Sequence, residues 1–294
     1  MASMRELKGR IGSVASSEKI TGAMKMISSA KMHKTELAVR RVRPFRNQIQ
    51  NTINNLLASD GEYESLLTEK RAVKRVALVV LGSDEGLCGA FNINISKLLL
   101  ETIRSIKESS GGDISFVIYP VGKKIVAFTE KLKGDDIEVA DIPYMTAKSV
   151  PSDVSRFCKE LIESFEKQDV DRVVLIYTHF ISISKQVFTS LDFLPIEASN
   201  LGNPEEAKVK NKPYIFEPDG NTIYNTVLPL YLLATLQEVV CESQASEQAS
   251  RVMAMQSAND NAHKLLEELQ LEYNKLRQQS ITTELLDILG GKVE

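Results

Sequence analysis

The stretch GSDEGLCGAFN, residues 82–92, sets two acids and a cysteine among three glycines. It follows an apolar run, VKRVALVVL (residues 73–81), and precedes a helix-like run, NISKLLLETIRSI (residues 94–106). Many α/β enzymes hold phosphate in such a strand–turn–helix arrangement. The residue types argue against that here. The stretch has neither the Lys-Ser/Thr of a P-loop nor the GxGxxG spacing of a dinucleotide fold. Asp84 and Glu85 would repel phosphate, and as acids ahead of a helix they instead complement its dipole. Cys88 has no histidine near it in sequence, because His33, His179 and His263 fall in separate segments. A nucleophilic or metal-bound thiol needs such a neighbour. Cys88 is therefore expected to be a buried structural thiol. No residue is expected to be catalytic or to bind a metal or cofactor.

The elements that would position this loop are unusual. Residues 3–58 show apolar side chains at Met4, Leu7, Ile11 and Val14, then at Met24 and Ile27. They recur at Val42, Phe45, Ile49, Ile53 and Leu56. This spacing is that of an amphipathic helix with a narrow stripe. Ser3 and Glu6 form a capping-box pattern at its start. Pro44 is expected to kink the helix and not end it. Residues 222–289 contain no glycine and one proline, Pro229, and again read as one helix. Some 60 residues of helix span roughly 90 Å, too far for one globular domain. Such a helix needs a partner helix.

Between the two, residues 72–200 alternate strands and helices. Strands are expected at 73–81, 113–120, 136–140, 171–180 and 184–196, and helices at 92–109, 122–132 and 151–168. This βαβ order implies an α/β domain with a mainly parallel sheet. The last two strands have no helix between them and should form an antiparallel hairpin at one edge. Residues 201–221 are polar and read as a connecting loop. The expected division is thus 1–58, 72–200, 201–221 and 222–294.

Two patterns argue that the terminal helices pair antiparallel. Both are rich in small side chains, over residues 12–30 and 243–262. One register sets these stretches together, with Leu7 and Ile11 opposite Leu265 and Leu269, and Ile49 opposite Leu232. Charge agrees. Residues 1–58 hold 11 Lys/Arg and 3 Asp/Glu, whereas residues 222–294 hold 5 and 10. Opposite fields favour this association over like-with-like pairing. An acidic partner in the same chain also makes nucleic acid an unneeded explanation for the basic helix. From about residue 277 the C-terminal helix would project alone, bearing Ile281, Leu285, Leu286, Ile288 and Leu289. A lone apolar face in water calls for a hydrophobic socket.

Three separated cysteines without a CxxC suggest a reducing compartment. No run of 18 apolar residues and no secretory signal is present, so a soluble cytoplasmic protein without a direct membrane span is expected.

The stretches KGRIGSV…SEKITGAMKMISSAKMHK (residues 8–34), SDEGLCGAFN, SEQASRVMAMQSANDNAHKLLEELQLEYNKLRQQSIT (residues 246–282) and ITTELLDILGG resemble the gamma subunit of F-type ATP synthases in its bacterial form. The similarity runs the full length. It implies a rotor: a coiled coil of the N- and C-terminal helices, with a Rossmann-like α/β domain at its foot. The shaft would thread a ring of alpha and beta subunits, one copy per complex. Its foot would rest on the epsilon subunit and the membrane c-ring. Proton flow would turn the c-ring, and the gamma subunit itself would hydrolyse nothing. The complex would lie on the cytoplasmic face of the bacterial cell membrane.

Residue by residue, the resemblance makes Met24 the shaft methionine facing the beta subunits, with Lys25 beside it. Met24 reads equally as part of the core stripe. Arg251, Gln278 and Thr282 match positions of polar contact with the ring's inner loops, and Glu284 stands in the same terminal signature. Arg251 reads equally as an intrahelical partner of Glu247. The loop bearing Asp84, Glu85 and Cys88 would meet the underside of the ring. The family usually has arginine where Glu85 stands, which puts in doubt any salt bridge expected there. Two other readings are a coiled-coil scaffold, which would not need the specific tip, and a nucleotide-binding α/β enzyme, which would need a phosphate loop or a paired acid and base.

Overall fold

Ser3 opens the first helix: its hydroxyl accepts a hydrogen bond from the Glu6 backbone amide at 3.2 Å, satisfying one orphan donor of the first turn. In the computed structural model, residues 3–58, 63–110, 114–197 and 217–290 are described. Helix α1 runs Met4–Leu57 and continues through Pro44. It is followed by β1 (Arg75–Leu81), α2 (Phe91–Ser110), β2 (Ser115–Val121), α3 (Lys123–Thr129), β3 (Ile137–Val139), α4 (Pro151–Glu166), β4 (Arg172–Ser182), β5 (Lys185–Leu194) and α5 (Gly220–Gly290). At 71 residues, α5 is about 105 Å long. Asp219 caps it, accepting from the Thr222 amide at 2.8 Å and hydroxyl at 2.7 Å. The expected connector lies outside the described residues up to 216, as do residues 291–294.

The sheet order is β3-β2-β1-β4-β5. Strands β3, β2, β1 and β4 are parallel, and β5 returns antiparallel on β4. The edge hairpin is therefore as expected. Both faces are covered, which is why β1 is apolar almost throughout. Val76, Leu78 and Val80 face α2 and α3 in one core. Ala77, Val79 and Leu81 face α4, α5 and the lower end of α1 in the other, where Ile49, Ile53, Leu228, Leu232 and Leu236 also sit. The α5 segment crossing the sheet belongs to this core. It contributes to an 18-residue average apolar enough for a membrane span, yet 56% of that window is buried inside the protein.

Above the sheet α1 and α5 pair antiparallel, and polar contacts mark the register. Lys25 Nζ donates to Gln256 Oε1 at 2.6 Å. Asn259 Nδ2 donates to the Glu18 carbonyl at 2.7 Å, and His263 Nδ1 lies 3.0 Å from Glu18 Oε1. These contacts lie within a helical turn of the expected register, and at the far end Leu7 and Leu269 are both buried. Small-with-small matching by itself is nearly degenerate under a slip of a turn or two. Directed polar cross-links such as that of Asn259 are not degenerate, and they select one register. Near the foot Ile49 and Leu232 share one core, as expected.

Ala245 and Ala249 are fully buried where α5 leaves the sheet. Ala249→Leu should therefore force the elements apart and cost about 1–3 kcal/mol, read as a lower thermal midpoint with the far-UV helix signal retained. A variant as stable as the parent would refute close packing at this level.

Candidate functional site: the shaft, its tip and the loop against it

The loop after β1 is held from three sides. Within it, Asn92 on the first turn of α2 receives the Ser83 amide at 3.1 Å and donates to the Ser83 hydroxyl at 2.7 Å. The Asn92 side-chain amide also donates to Cys88 Sγ at 3.4 Å. Cys88 is buried among these groups, as expected of a structural thiol. Leu87 and Gly89 both adopt positive φ, 64° and 59°. For leucine this is strained backbone, and its side chain is 59% exposed.

Asp84 does not serve the helix that follows it. Its carboxylate accepts from the Lys123 amide at 3.2 Å, so the dipole it complements is that of α3. Glu85 pairs with Lys148 at 2.8 Å, which holds its carboxyl below the usual range. Both acids were expected to act on α2. The crest of the sheet brings them instead to β2–α3 and to the segment before α4. The close approach that allows this needs glycine. A Cβ at Gly122, whose φ is +102°, would lie 2.9 Å from the Gly82 backbone.

From the third side comes α5. Arg251 is 6% exposed, and its Nη2 donates to the carbonyls of Glu85 and Gly86, each at 3.3 Å. It also pairs with Glu247 at 2.8 Å, the intrahelical partner considered from sequence. Burial pushes the Glu247 carboxyl above its ordinary range, against the pull of Arg251. In this arrangement Arg251 braces the loop on the shaft. The Ser246 hydroxyl adds a bond to the Thr178 carbonyl on β4 at 3.1 Å.

Doubly wound sheets bind ligands in the crevice beyond the carboxyl ends of their strands. Here α5 lies across that crevice. Between Leu81, Gly82 and Val121 below and Val240, Ser243 and Glu247 above, about 10 Å³ remains, room for one water at most, whereas cavities of about 530 Å³ beside Asp84, Gly122 and Asp141 and of about 710 Å³ beside Glu85, Lys148 and Arg251 stay open. Among the described residues no group of three or more His, Cys, Asp or Glu could hold a metal ion. His179 and His263 each face a glutamate, Glu242 and Glu18.

The other residues singled out from sequence lie along the shaft. Met24 is half-buried on α1, and Lys25 is tied to Gln256. Beyond the start of α1, residues 277–289 of α5 are all exposed. Ile281, Leu285, Leu286, Ile288 and Leu289 stand in solvent there. Thr282 donates to the Gln278 carbonyl at 2.9 Å, and Ser280 to Glu284 at 3.5 Å. The side-chain amide of Gln278 has no partner among the described residues. The structure thus groups Asp84, Glu85, Cys88 and Arg251 at one place. It separates them from Met24 and Lys25 on the mid-shaft, and from Gln278, Thr282 and Glu284 at the tip. Sequence reasoning missed Asn92 and Lys148, whose roles arise only from tertiary approach.

Replacing Arg251 by glutamine should cost about 3–5 kcal/mol near pH 8, because Glu247 is left buried and unpaired. The penalty should shrink as pH falls. A carboxyl whose folded pKa is raised binds its proton more readily folded than unfolded. Its destabilising effect therefore grows as pH rises from the unfolded carboxyl value through the raised one. Denaturant melts at pH 5 and pH 8 check this, and an equal loss at both would refute the pairing. The thiols give a second check. Burial pushes Cys158 up to about 12 and Cys241 up to about 11. Native protein at pH 8 should alkylate at these sites at least ~100-fold more slowly than unfolded protein, read by peptide mass.

Comparison with known proteins agrees with this architecture. A family model described as ATP synthase matches residues 3–293. The ATP synthase gamma chain of Phocaeicola vulgatus is 42% identical, with all of both chains covered. That of Polynucleobacter asymbioticus is 35% identical over 99% of each chain. Among solved structures, the rotor of the Euglena gracilis mitochondrial ATP synthase superposes with a TM-score of 0.59 at 20% identity, covering 95% of this chain and 98% of that one. The central stalk/c-ring structure from Tetrahymena thermophila gives 0.54 at 25% identity, covering 81% and 99%. With matches over its full length at these identities, the chain belongs to the ATP synthase gamma chain family.

Proposed function

We propose that this chain is the central rotor stalk of an F-type ATP synthase, transmitting rotation between a c-ring and a ring of alpha and beta subunits. The observation that carries the reading is the lone tip. A coiled coil held at its base by an α/β foot ends in one unaccompanied helix with an apolar face. That face needs a socket in another protein, and a tapered end in a socket is the form of a bearing. The family's printed name and the central-stalk likeness support it.

In this role the chain is non-catalytic. Residues 1–58 and 222–294 form the shaft, residues 72–200 the foot, and residues 201–221 a connector. One copy serves each complex, with the foot against epsilon and the c-ring on the cytoplasmic face of the bacterial membrane. Met24, Lys25, Gln278, Thr282 and Glu284 are the residues proposed to meet the ring. Lys25 must share its ammonium between Gln256 and any ring carboxylate. Arg251 acts on the ring through the loop it braces, which presents Glu85 and Leu87 outward.

Mixing the chain with alpha and beta subunits of a related bacterium should yield one assembly with a single copy of this chain and raised ATP hydrolysis. Removing residues 277–294 should leave the foot folded while lowering the torque measured on single complexes. A folded chain that forms no complex with competent partners would exclude the rotor. A truncated chain that rotates with full torque would exclude the tip as its bearing.

A further inference from the structure

Glu238 and Glu242 stand one helical turn apart on α5, in a stretch (residues 220–246) with no other charged residue, and are 7% and 3% exposed. Two buried carboxylates so placed repel each other unless cations share the site. Each of their four oxygens has its own partner. Arg43 forks across both, with Nε 2.9 Å from Glu238 Oε1 and Nη2 2.6 Å from Glu242 Oε1. Arg46 Nε lies 2.5 Å from Glu238 Oε2, near enough for an ion pair though off the line of a hydrogen bond. His179 Nδ1 lies 2.7 Å from Glu242 Oε2. The arginines belong to α1, the glutamates to α5 and the histidine to β4. Three elements therefore meet at one charged point, at the neck where the helix pair leaves the sheet.

We infer that this network is a torsional clamp, which makes Arg43, Arg46, Glu238, Glu242 and His179 the positioning residues that fix the angle of the shaft on the foot. The inference rests on the rotor reading above. Below the neck, apolar packing welds α5 to the sheet. At the neck that packing is interrupted. A cavity of about 360 Å³ opens beside the network, lined by Arg46, Tyr177, His179, Thr235, Glu238 and Glu242. Twisting the shaft against the foot must carry α1 past α5 and β4, and this stretches all four contacts at once. Apolar contacts are non-directional and yield to sliding. Ion pairs around buried carboxylates do not, because separating them strands charge away from water. The hydrophobic core supplies adhesion and the clamp supplies angular stiffness.

The test uses the intact catalytic complex containing this chain, fixed to a surface through its alpha/beta ring. After ATP-driven rotation has been seen, the shaft is crosslinked to the ring near its tip. The angular variance of a bead on the foot is then recorded. Glu238→Gln with Glu242→Gln should widen that variance about twofold or more, within the range by which coupling networks are modulated. If that pair does not assemble, Arg46→Gln alone, which leaves Arg43 in place, should widen it to a lesser degree. An unchanged variance in assembled complexes, even with a lowered melting point, would overturn the clamp and leave a merely stabilising network. If complexes with the unaltered chain never rotate in ATP, the rotor reading itself fails and the clamp falls with it.

Discussion

Everything in this molecule depends on the antiparallel pairing of α1 and α5. Neither helix can stand alone in water. Each has one narrow apolar stripe, and a lone helix this long gains too little from hydrogen bonding and propensity to offset its conformational entropy. Paired, they bury one another's stripes and bring opposite charges face to face. The pairing also decides the topology. The two ends of the chain must come together, so the α/β domain between them is confined to one end. The surplus length of α5 is left to form the tip at the other.

The same pairing accounts for how the crest of the α/β domain is covered. Its sheet has the parallel core and strand order of many ligand-binding folds. Over Leu81, Gly82 and Val121, however, its crevice is closed in cis, because α5 must cross the sheet to reach α1. Ser246, Glu247 and Arg251 take the hydrogen-bonding positions that a ligand would otherwise occupy near the crest. The glycine-rich loop then becomes a mechanical part. Its carbonyls receive Arg251, and its acids are engaged by Lys123 and Lys148. Strain at Leu87 is tolerated because Arg251 holds the Glu85 and Gly86 carbonyls before it and Asn92 holds the Cys88 side chain after it.

Charge does two different jobs along the shaft. Out in solvent, pairs such as Glu18 with His263 select the register and add little stability. At the neck, Glu238 and Glu242 are buried, and there the same kind of contact becomes directional and stiff. The division follows from dielectric environment and not from residue type.

The sequence by itself determined the two long helices, the five strands, the edge hairpin and the exposed tip. Periodicity of apolar residues is a local property, and in these segments it runs long enough to be unambiguous. It also argued against phosphate chemistry in the opening loop, because the required residue types are missing. Tertiary structure supplied the polar cross-links along the shaft, such as Asn259 on the Glu18 carbonyl, since small side chains alone match one another under several slips. It decided that Asp84 caps α3, that Glu85 finds Lys148, and that Arg251 turns inward to the loop. It decided, too, that Arg43, Glu238, Glu242 and His179 meet. The only hint in the sequence was a pair of acids, four residues apart, inside an apolar helix. Contacts between residues so distant in the chain depend on how helix and sheet are docked, and no local pattern encodes that geometry.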